Sequence, residues 1–225
     1  MPPVLAALAL VASYGSLPDP MPTHWGFTGE PDAWAPKSMG TLLVNILLGP
    51  LLCVLAMAGA GAFLQMHSGT LFEPGGSKTL GDARRHWHEL RVMQPLLGWY
   101  CVMLSTSLTL LMLGLNAPWL RSIAGLLDAL GMLGILAATI WLLVVGGRKS
   151  DAIAKKYPHS DGRRRRWLLF VEIPGSDRVM VDTGSGTNFT FNVATRGGRI
   201  GAVVLSLIML ATAVLLLSMA VAALL

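Results

Sequence analysis

The sequence predicts an all-α membrane protein of about five transmembrane helices, with a small β-rich cytoplasmic insert. Three observations predict it. Long apolar runs free of Lys, Arg, Asp and Glu recur along the chain, basic residues gather in alternate loops, and one basic loop alternates like short strands. Hydrophobic residues make up 53% of the 225 and charged residues only 13%. Soluble domains carry about 25% charged residues, so the composition excludes an ordinary soluble domain.

A span needs about 20 mostly apolar residues to cross a hydrocarbon layer of about 30 Å. Runs 41–64, 96–115, 123–145 and 200–225 meet that length. Residues 4–14 are apolar but short, giving about 20 Å of helix even when extended to Leu17. A signal peptide would open with a basic region, which is absent here. A first span with a shortened start is expected instead, as a start codon placed too late would leave. The expected layout is a membrane domain over 1–65, made of that short span, an outer loop at 15–38 and a second span at 41–64. A cytoplasmic loop with an amphipathic helix follows at 66–95, then a two-span hairpin at 96–145, a basic β-rich insert at 146–199 and a last span at 200–225.

Charge sets the orientation. Loop 15–38 holds one basic residue, Lys37, against Asp19, Glu30 and Asp32. Loop 65–95 holds Lys78, Arg84, Arg85 and Arg91, the turn at 116–122 only Arg121, and loop 146–199 the other eleven. Excess Lys and Arg mark the cytoplasmic side, which places the N-terminus inside, the C-terminus outside and loop 15–38 facing outward. Trp25, Trp34 and Trp119 fall at outer ends of spans and Trp99 and Trp141 at inner ends, at the headgroup level that tryptophan prefers. The net charge of +5 implies no nucleic acid, because the basic residues, including Arg163 to Arg166, lie beside spans. There they serve topology and contact with anionic lipid. Cys53 and Cys101 fall inside spans and read as small buried hydrophobes.

Two cytoplasmic segments have their own patterns. In 80–93, Leu80, Ala83, Trp87 and Leu90 share one helical face and the arginines lie elsewhere, which predicts an amphipathic interfacial helix. In 167–194, "WLLFVEI", "VMVDT" and "NFTFNV" are separated by turn signals, which predicts a three-stranded meander. So short a meander buries little alone and is expected to lean on the membrane face or the spans.

The outer loop reads "LPDPMPTHWGFTGEPDAWAPKS" from Leu17 to Ser38. Its five prolines forbid a continuing helix, so a stiff, turned, non-helical loop close to the membrane is expected. These residues resemble the signature of the N-terminal domain of bacterial SdpI-type membrane proteins. Leu17, Pro18, Pro22, His24, Trp25, Gly29, Pro31, Asp32, Trp34 and Lys37 match it, over a region of roughly 4–65. The resemblance implies a multispan membrane protein. In one branch of that family it implies immunity to a secreted toxic peptide and a part in signalling. More weakly, 161–194 resembles a small cytoplasmic domain that accompanies the first, through Trp167, Phe170, Pro174, Asp177, Val181, Gly184, Gly186, Thr190 and Asn192. The chain departs from that second pattern at its Asn-Pro and Val-Pro-Lys-Arg positions.

Other motifs carry less chemistry than they suggest. Asp182-Thr183-Gly184 looks like an aspartic protease motif, but that chemistry needs two carboxylates sharing a proton, and no second copy exists. A β-turn accounts for it. His86 and His88 sit at i and i+2, on different helical faces, so surface or headgroup contact is expected rather than a metal site. The glycosylation-like Asn188-Phe189-Thr190 lies on the expected cytoplasmic side. Small residues at 56–63 are expected to permit close helix packing, and Pro50 to kink its span and open a cleft.

Asp128 is the single acid inside a long apolar run, where an ionisable residue costs about 3 kcal/mol or more at mid-span. It lies seven residues after Arg121, so on one continuous helix the two share a face, and a structural ion pair is expected. His24, Trp25, Gly29, Pro31, Asp32, Trp34, Lys37, Asn45, Arg121 and Asp128 are the expected outward patch. No catalytic set, cofactor site or metal site is expected. The expected role is non-enzymatic recognition, immunity or signalling in a bacterial cytoplasmic membrane. The expected partners are the lipid bilayer and a secreted peptide or a membrane or cytoplasmic regulatory protein. A small proton-coupled transporter built around Asp128 is the alternative, followed by a membrane-embedded enzyme.

The orientation is testable with single cysteines in a background lacking Cys53 and Cys101. A cysteine at Ser38 should react with a membrane-impermeant thiol reagent in intact cells, while cysteines at Ser77 and Ser160 should resist it. Labelling at Ser160 would overturn the orientation.

Overall fold

Where no water reaches, a chain must satisfy its own backbone N–H and C=O groups, and apolar runs therefore fold as helices. The computed structural model of the chain describes residues 2–26, 30–68, 79–159, 162–166, 169–182 and 189–225. Its helices are α1 (Pro2–Ala12), α2 (Met39–Ser68), α3 (Leu80–Asn116), α4 (Ala124–Lys156) and α5 (Arg196–Ala222). Its strands are β1 (Met21–Trp25), β2 (Pro31–Ala35), β3 (Arg164–Arg166), β4 (Phe170–Glu172), β5 (Met180–Asp182) and β6 (Phe189–Phe191). Among the described residues, α2 to α5 are the four helices long and apolar enough to cross a membrane.

About five spans are expected, and the fifth apolar segment is α1, a shorter apolar helix of 11 residues, about 16 Å long. It ends early for a local reason. The Ser13 hydroxyl donates back to the carbonyls of Ala9 and Leu10, at 2.8 and 3.2 Å, and a short 3₁₀ turn at Tyr14–Ser16 replaces the next helical turn.

Helices α3 and α4 are longer than expected. The amphipathic segment 80–93 is helical but not separate, since α3 runs unbroken through Pro95 to Asn116. Thr79 and Asp82 start it with a reciprocal cap: the Asp82 N–H donates to Thr79 Oγ1 at 3.1 Å and the Thr79 N–H to Asp82 Oδ2 at 3.2 Å. Helix α4 continues past the expected end at 145 to Lys156, with Lys155 and Lys156 complementing the negative end of its dipole.

The start of α3 buries part of its polar face, while Arg84 and Arg91 stay exposed. Asp82, Arg85 and His86 are buried, at 8%, 3% and 1% exposure, while Leu80 and Trp87 face outward. His86 is thus not a surface residue, and His88 stacks on Tyr157 with ring centroids 5.2 Å apart. Arg85 Nη2 donates to Asp82 Oδ1 at 2.7 Å, and Nη1 donates to the carbonyls of Tyr157 and Pro158 just past α4. Helix C-termini leave carbonyls without intrahelical partners, and Arg85 satisfies two of them.

The chain divides into two compact units. One comprises Met1–Met57, Tyr100–Ala138 and Thr212–Leu225, the other Ala58–Trp99 and Thr139–Ala211. In the first, Leu10, Met21, Leu42 and Ile46 form a fully buried apolar core with Ala7, Leu17 and Ala117. Close packing of α3 on α4 relies on glycine: a Cβ at Gly131 would overlap Leu111 and the Ser107 carbonyl, and one at Gly134 would overlap the Ser107 hydroxyl. Gly59 and Gly61, in the stretch where close packing is expected, face open space among the described residues.

The second unit holds the insert. Its strands fall near the expected positions but do not make a meander. β3 pairs antiparallel with β4 and β5 with β6, and one parallel bridge, Val171 to Asn192, joins the two hairpins. Asn192 is fully buried and explains the junction. Its Oδ1 accepts the N–H groups of Ile173 and Ala194 at 3.0 and 3.1 Å, and its Nδ2 donates to the Ser176 carbonyl at 3.3 Å. β4 therefore meets β6 rather than β5. The arginine run contributes β3 itself. Within it Arg165 meets Asp151 at 3.2 Å and Arg166 meets Glu172 at 2.7 Å, so the run is partly engaged inside the protein. Trp167, Gly184, Gly186, Asn188 and most of the Asp-Thr-Gly motif lie outside the described residues.

Gly131→Leu should lower the thermal unfolding midpoint in detergent by several degrees, since overpacking a close contact costs about 1–3 kcal/mol. Gly59→Leu should leave it within a degree or two. Equal effects at the two positions would refute the α3–α4 contact.

Candidate functional site

The proline-rich loop expected to face outward folds as a β-hairpin of β1 and β2. Two-stranded pairing leaves every strand an edge, which is why Pro22 and Pro31 fit inside strands. Met21 pairs with Ala35, Pro22 with Trp34, His24 with Ala33 and Trp25 with Pro31, with register shifts on either side of His24. Bulges of this kind re-aim a side chain. His24 Nδ1 lies 2.5 Å from Asp32 Oδ1, and both side chains are largely exposed. Asp32 pairs with His24 rather than with Lys37.

Two side chains fasten the hairpin to the helices. Lys37 Nζ donates to the carbonyls of Leu17 at 2.7 Å and Gly15 at 3.3 Å, and lies 5.0 Å from the Tyr14 ring centroid. Its backbone N–H donates to Asp19 Oδ1 at 3.2 Å. Lys37 thus closes the chain exit from α1 and is not a free charge on the outer patch. Asn45, in the second turn of α2, donates from Nδ2 to the Pro22 carbonyl at 2.8 Å. A hydrogen bond of this type is worth about 0.5–1.5 kcal/mol, and losing it leaves a carbonyl unsatisfied at further cost.

Beneath the hairpin lies a groove of about 710 Å³. Its mouth is polar, with Thr23, His24, Thr41 and Asn45, and Trp25 stands beside them. Its walls are apolar, with Val44, Leu48, Gly49 and Pro50 of α2 and Leu108, Met112 and Leu115 of α3. The arrangement suits an elongated amphiphile with a polar end at the hairpin. Among the described residues, no group of three His, Cys, Asp or Glu side chains is placed to hold a metal ion.

The expected patch therefore divides. His24, Trp25 and Asn45 line the groove, Asp32 orients His24, and Pro31 and Trp34 shape β2, with Trp34 53% exposed. Gly29 lies outside the described residues. Lys37 works beneath the hairpin, and Arg121 and Asp128 do not line the groove. The Arg121–Asp128 ion pair is not formed. Residues 118–123 are a 3₁₀ helix, and α4 begins only at Ala124, so spacing by seven no longer puts the two on one face. Asp128 Oδ1 is buried without a hydrogen-bond partner, and the carboxyl occupies the space where a Cβ at Gly114 would sit. The α3 wall of the groove and Gly114 have no local sequence signal, because both roles arise from contacts with a different helix.

Without an ion pair, Arg121→Gln should change stability by less than about 0.5 kcal/mol, as a surface substitution does. It should show no coupling to Asp128→Asn in a double-mutant cycle of thermal unfolding in detergent. Coupling above about 0.5 kcal/mol would restore the pair.

Residues 4–49 match a family described as a domain of unknown function, DUF1648. No curated protein and no solved structure matches the chain. The match spans α1, the hairpin and the first third of α2, the elements that Lys37 and Asn45 tie together. The stretch that builds the hairpin side of the groove is thus similar to a DUF1648 domain.

Proposed function

We propose that this chain is a multipass protein of the bacterial cytoplasmic membrane, of the SdpI type, that recognises a secreted amphiphilic peptide at its outward hairpin. It acts in immunity or signalling rather than in catalysis. The observation that carries this reading is the groove under the fastened hairpin, polar at its mouth and apolar along its walls. Its volume lies within the range of about 300–1,000 Å³ typical of ligand sites. A hairpin already held by Lys37 and Asn45 loses little freedom on binding, and preorganisation of that kind favours affinity. In this reading α1 is the first, partial span, the N-terminus is inside, the C-terminus is outside, and the basic insert is cytoplasmic.

A second reading has its own observation. The buried, unpartnered carboxyl oxygen of Asp128 is what a proton-coupled carrier would use. It stands apart from the groove, and the absence of a second intramembrane acid in the sequence gives a carrier only one titratable group.

Cells expressing the protein should tolerate secreted, membrane-active amphipathic peptides at several-fold higher dose than cells without it. Asn45→Leu and Trp34→Ala should lose that tolerance at unchanged protein level in the membrane. Full protection by Asn45→Leu would overturn the groove as the site. A proton flux in reconstituted vesicles that Asp128→Asn abolishes would replace recognition with transport.

A further inference from the structure

The insert carries apolar side chains that its own core does not use. Along β5 and β6 the side chains alternate. Val181 turns inward to Val171 and Ile173, and the Thr190 hydroxyl donates to the Leu169 carbonyl at 2.7 Å. By register Met180, Asp182, Phe189 and Phe191 consequently share the opposite face, with one acid among three apolar positions. Phe189 is 62% exposed and Met180 54%.

The position of that face gives the exposure a meaning. Phe191 packs on Gly201, where an added Cβ would overlap its ring, and Gly197 is closed in the same way by Val179. Gly201 lies in the second turn of α5, a helix apolar enough to cross a membrane. The face that rests on the start of this span is the one exposing Met180 and Phe189. Charge gathers beside it. Arg163 and Arg178 line a cleft of about 310 Å³ together with Met180 and Phe189, and Arg196 and Arg199 are exposed at the start of α5. Residues 146–199 hold eleven basic residues and five acidic ones. Two of the acids, Asp151 and Glu172, are already engaged by Arg165 and Arg166.

We infer that the Met180–Phe189 face is a membrane-docking surface, which seats these two side chains at the headgroup boundary of an anionic bilayer while Arg178 takes lipid phosphate in the cleft. Basic residues beside a span are drawn to anionic lipid, and the attraction fades within a Debye length, so the tether through α5 is what makes it effective. The inference does not depend on the peptide reading of the outer groove.

The test uses the full chain with Cys53→Ala and Cys101→Ala, carrying Phe189→Cys or Met180→Cys labelled with a polarity-sensitive fluorophore. The protein is placed in nanodiscs of phosphatidylcholine alone, or of phosphatidylcholine with an equal part of phosphatidylglycerol. Both labels should shift to the blue, be quenched by lipid spin-labelled near the headgroup and be shielded from aqueous iodide, more strongly in the anionic discs. Arg178→Glu should remove most of the difference between the two lipids. A label at Arg164→Cys, exposed on β3, should stay open to iodide throughout. Iodide quenching at 189 and 180 as complete as at 164 would overturn the proposal. Shielding that needs two copies per disc and ignores lipid charge would assign the face to a second copy and overturn it equally.

Discussion

Four of the non-helical segments described in this chain are held by a polar side chain that satisfies backbone groups the helices cannot. Near a bilayer an unpaired N–H or C=O costs several kcal/mol, so a chain that leaves the helix must find partners at once. Lys37 supplies them to Gly15 and Leu17 after α1, and Asn45 to Pro22 in the hairpin. Arg85 does so for Tyr157 and Pro158 after α4, and Asn192 for Ile173, Ser176 and Ala194 in the insert. Each is a residue whose side chain reaches several ångströms while its backbone stays in regular structure or at its edge. Losing Lys37, Arg85 or Asn192 would leave more than one backbone group without its partner, and losing Asn45 would leave one.

This use of polar residues explains the start of α3, where Asp82, Arg85 and His86 face in and Arg85 bonds Asp82 and the carbonyls past α4, while Arg84, Trp87 and Arg91 are exposed. The long helices are apolar on most faces, as a lipid medium requires. Apolar burial cannot then drive helix association as it does in water, so contact depends on fit. Glycine supplies the fit. Gly131 and Gly134 let α3 approach α4, and Gly114 makes the room that the Asp128 carboxyl fills. Asp128 is accordingly packed against a helix rather than paired with a cation, which sets it apart from the ion pairs of the insert.

The same devices shape the site. The hairpin that His24 and Trp25 stand on is fixed from below by Lys37 and from the side by Asn45, so the groove mouth exists before any ligand arrives. The insert is fixed as firmly at the other end of its chain segment. The Thr195 hydroxyl accepts from the Gly198 N–H at 3.0 Å and donates to the Asn192 carbonyl at 3.0 Å, which joins the cap of α5 to β6 without slack. Both segments present aromatic side chains outward from a rigid base.

Much of this was legible in the residues. Apolar length alone determined the four long helices, because about 20 residues of one character leave the backbone no alternative to the helix. Proline density determined that 18–38 would not be helical, and alternation placed β4, β5 and β6 close to where they lie. His24, Trp25 and Asn45 could be singled out as one patch, since they fall on the same short loop and the helix turn after it. What only the tertiary structure decided was pairing. Seven residues from Arg121 to Asp128 suggest a shared face only if one helix continues between them, and the 3₁₀ segment at 118–123 breaks that continuity. Asp32 chose His24 over Lys37, Lys37 chose the carbonyls of Gly15 and Leu17, and Arg165 and Arg166 chose Asp151 and Glu172. Small residues at 56–63 looked like a packing seam, yet the seam formed at Gly131 and Gly134. Local pattern dictates which segments are helix, strand or turn, because those states depend on neighbours in sequence. Partners come from three-dimensional proximity, which no local pattern encodes.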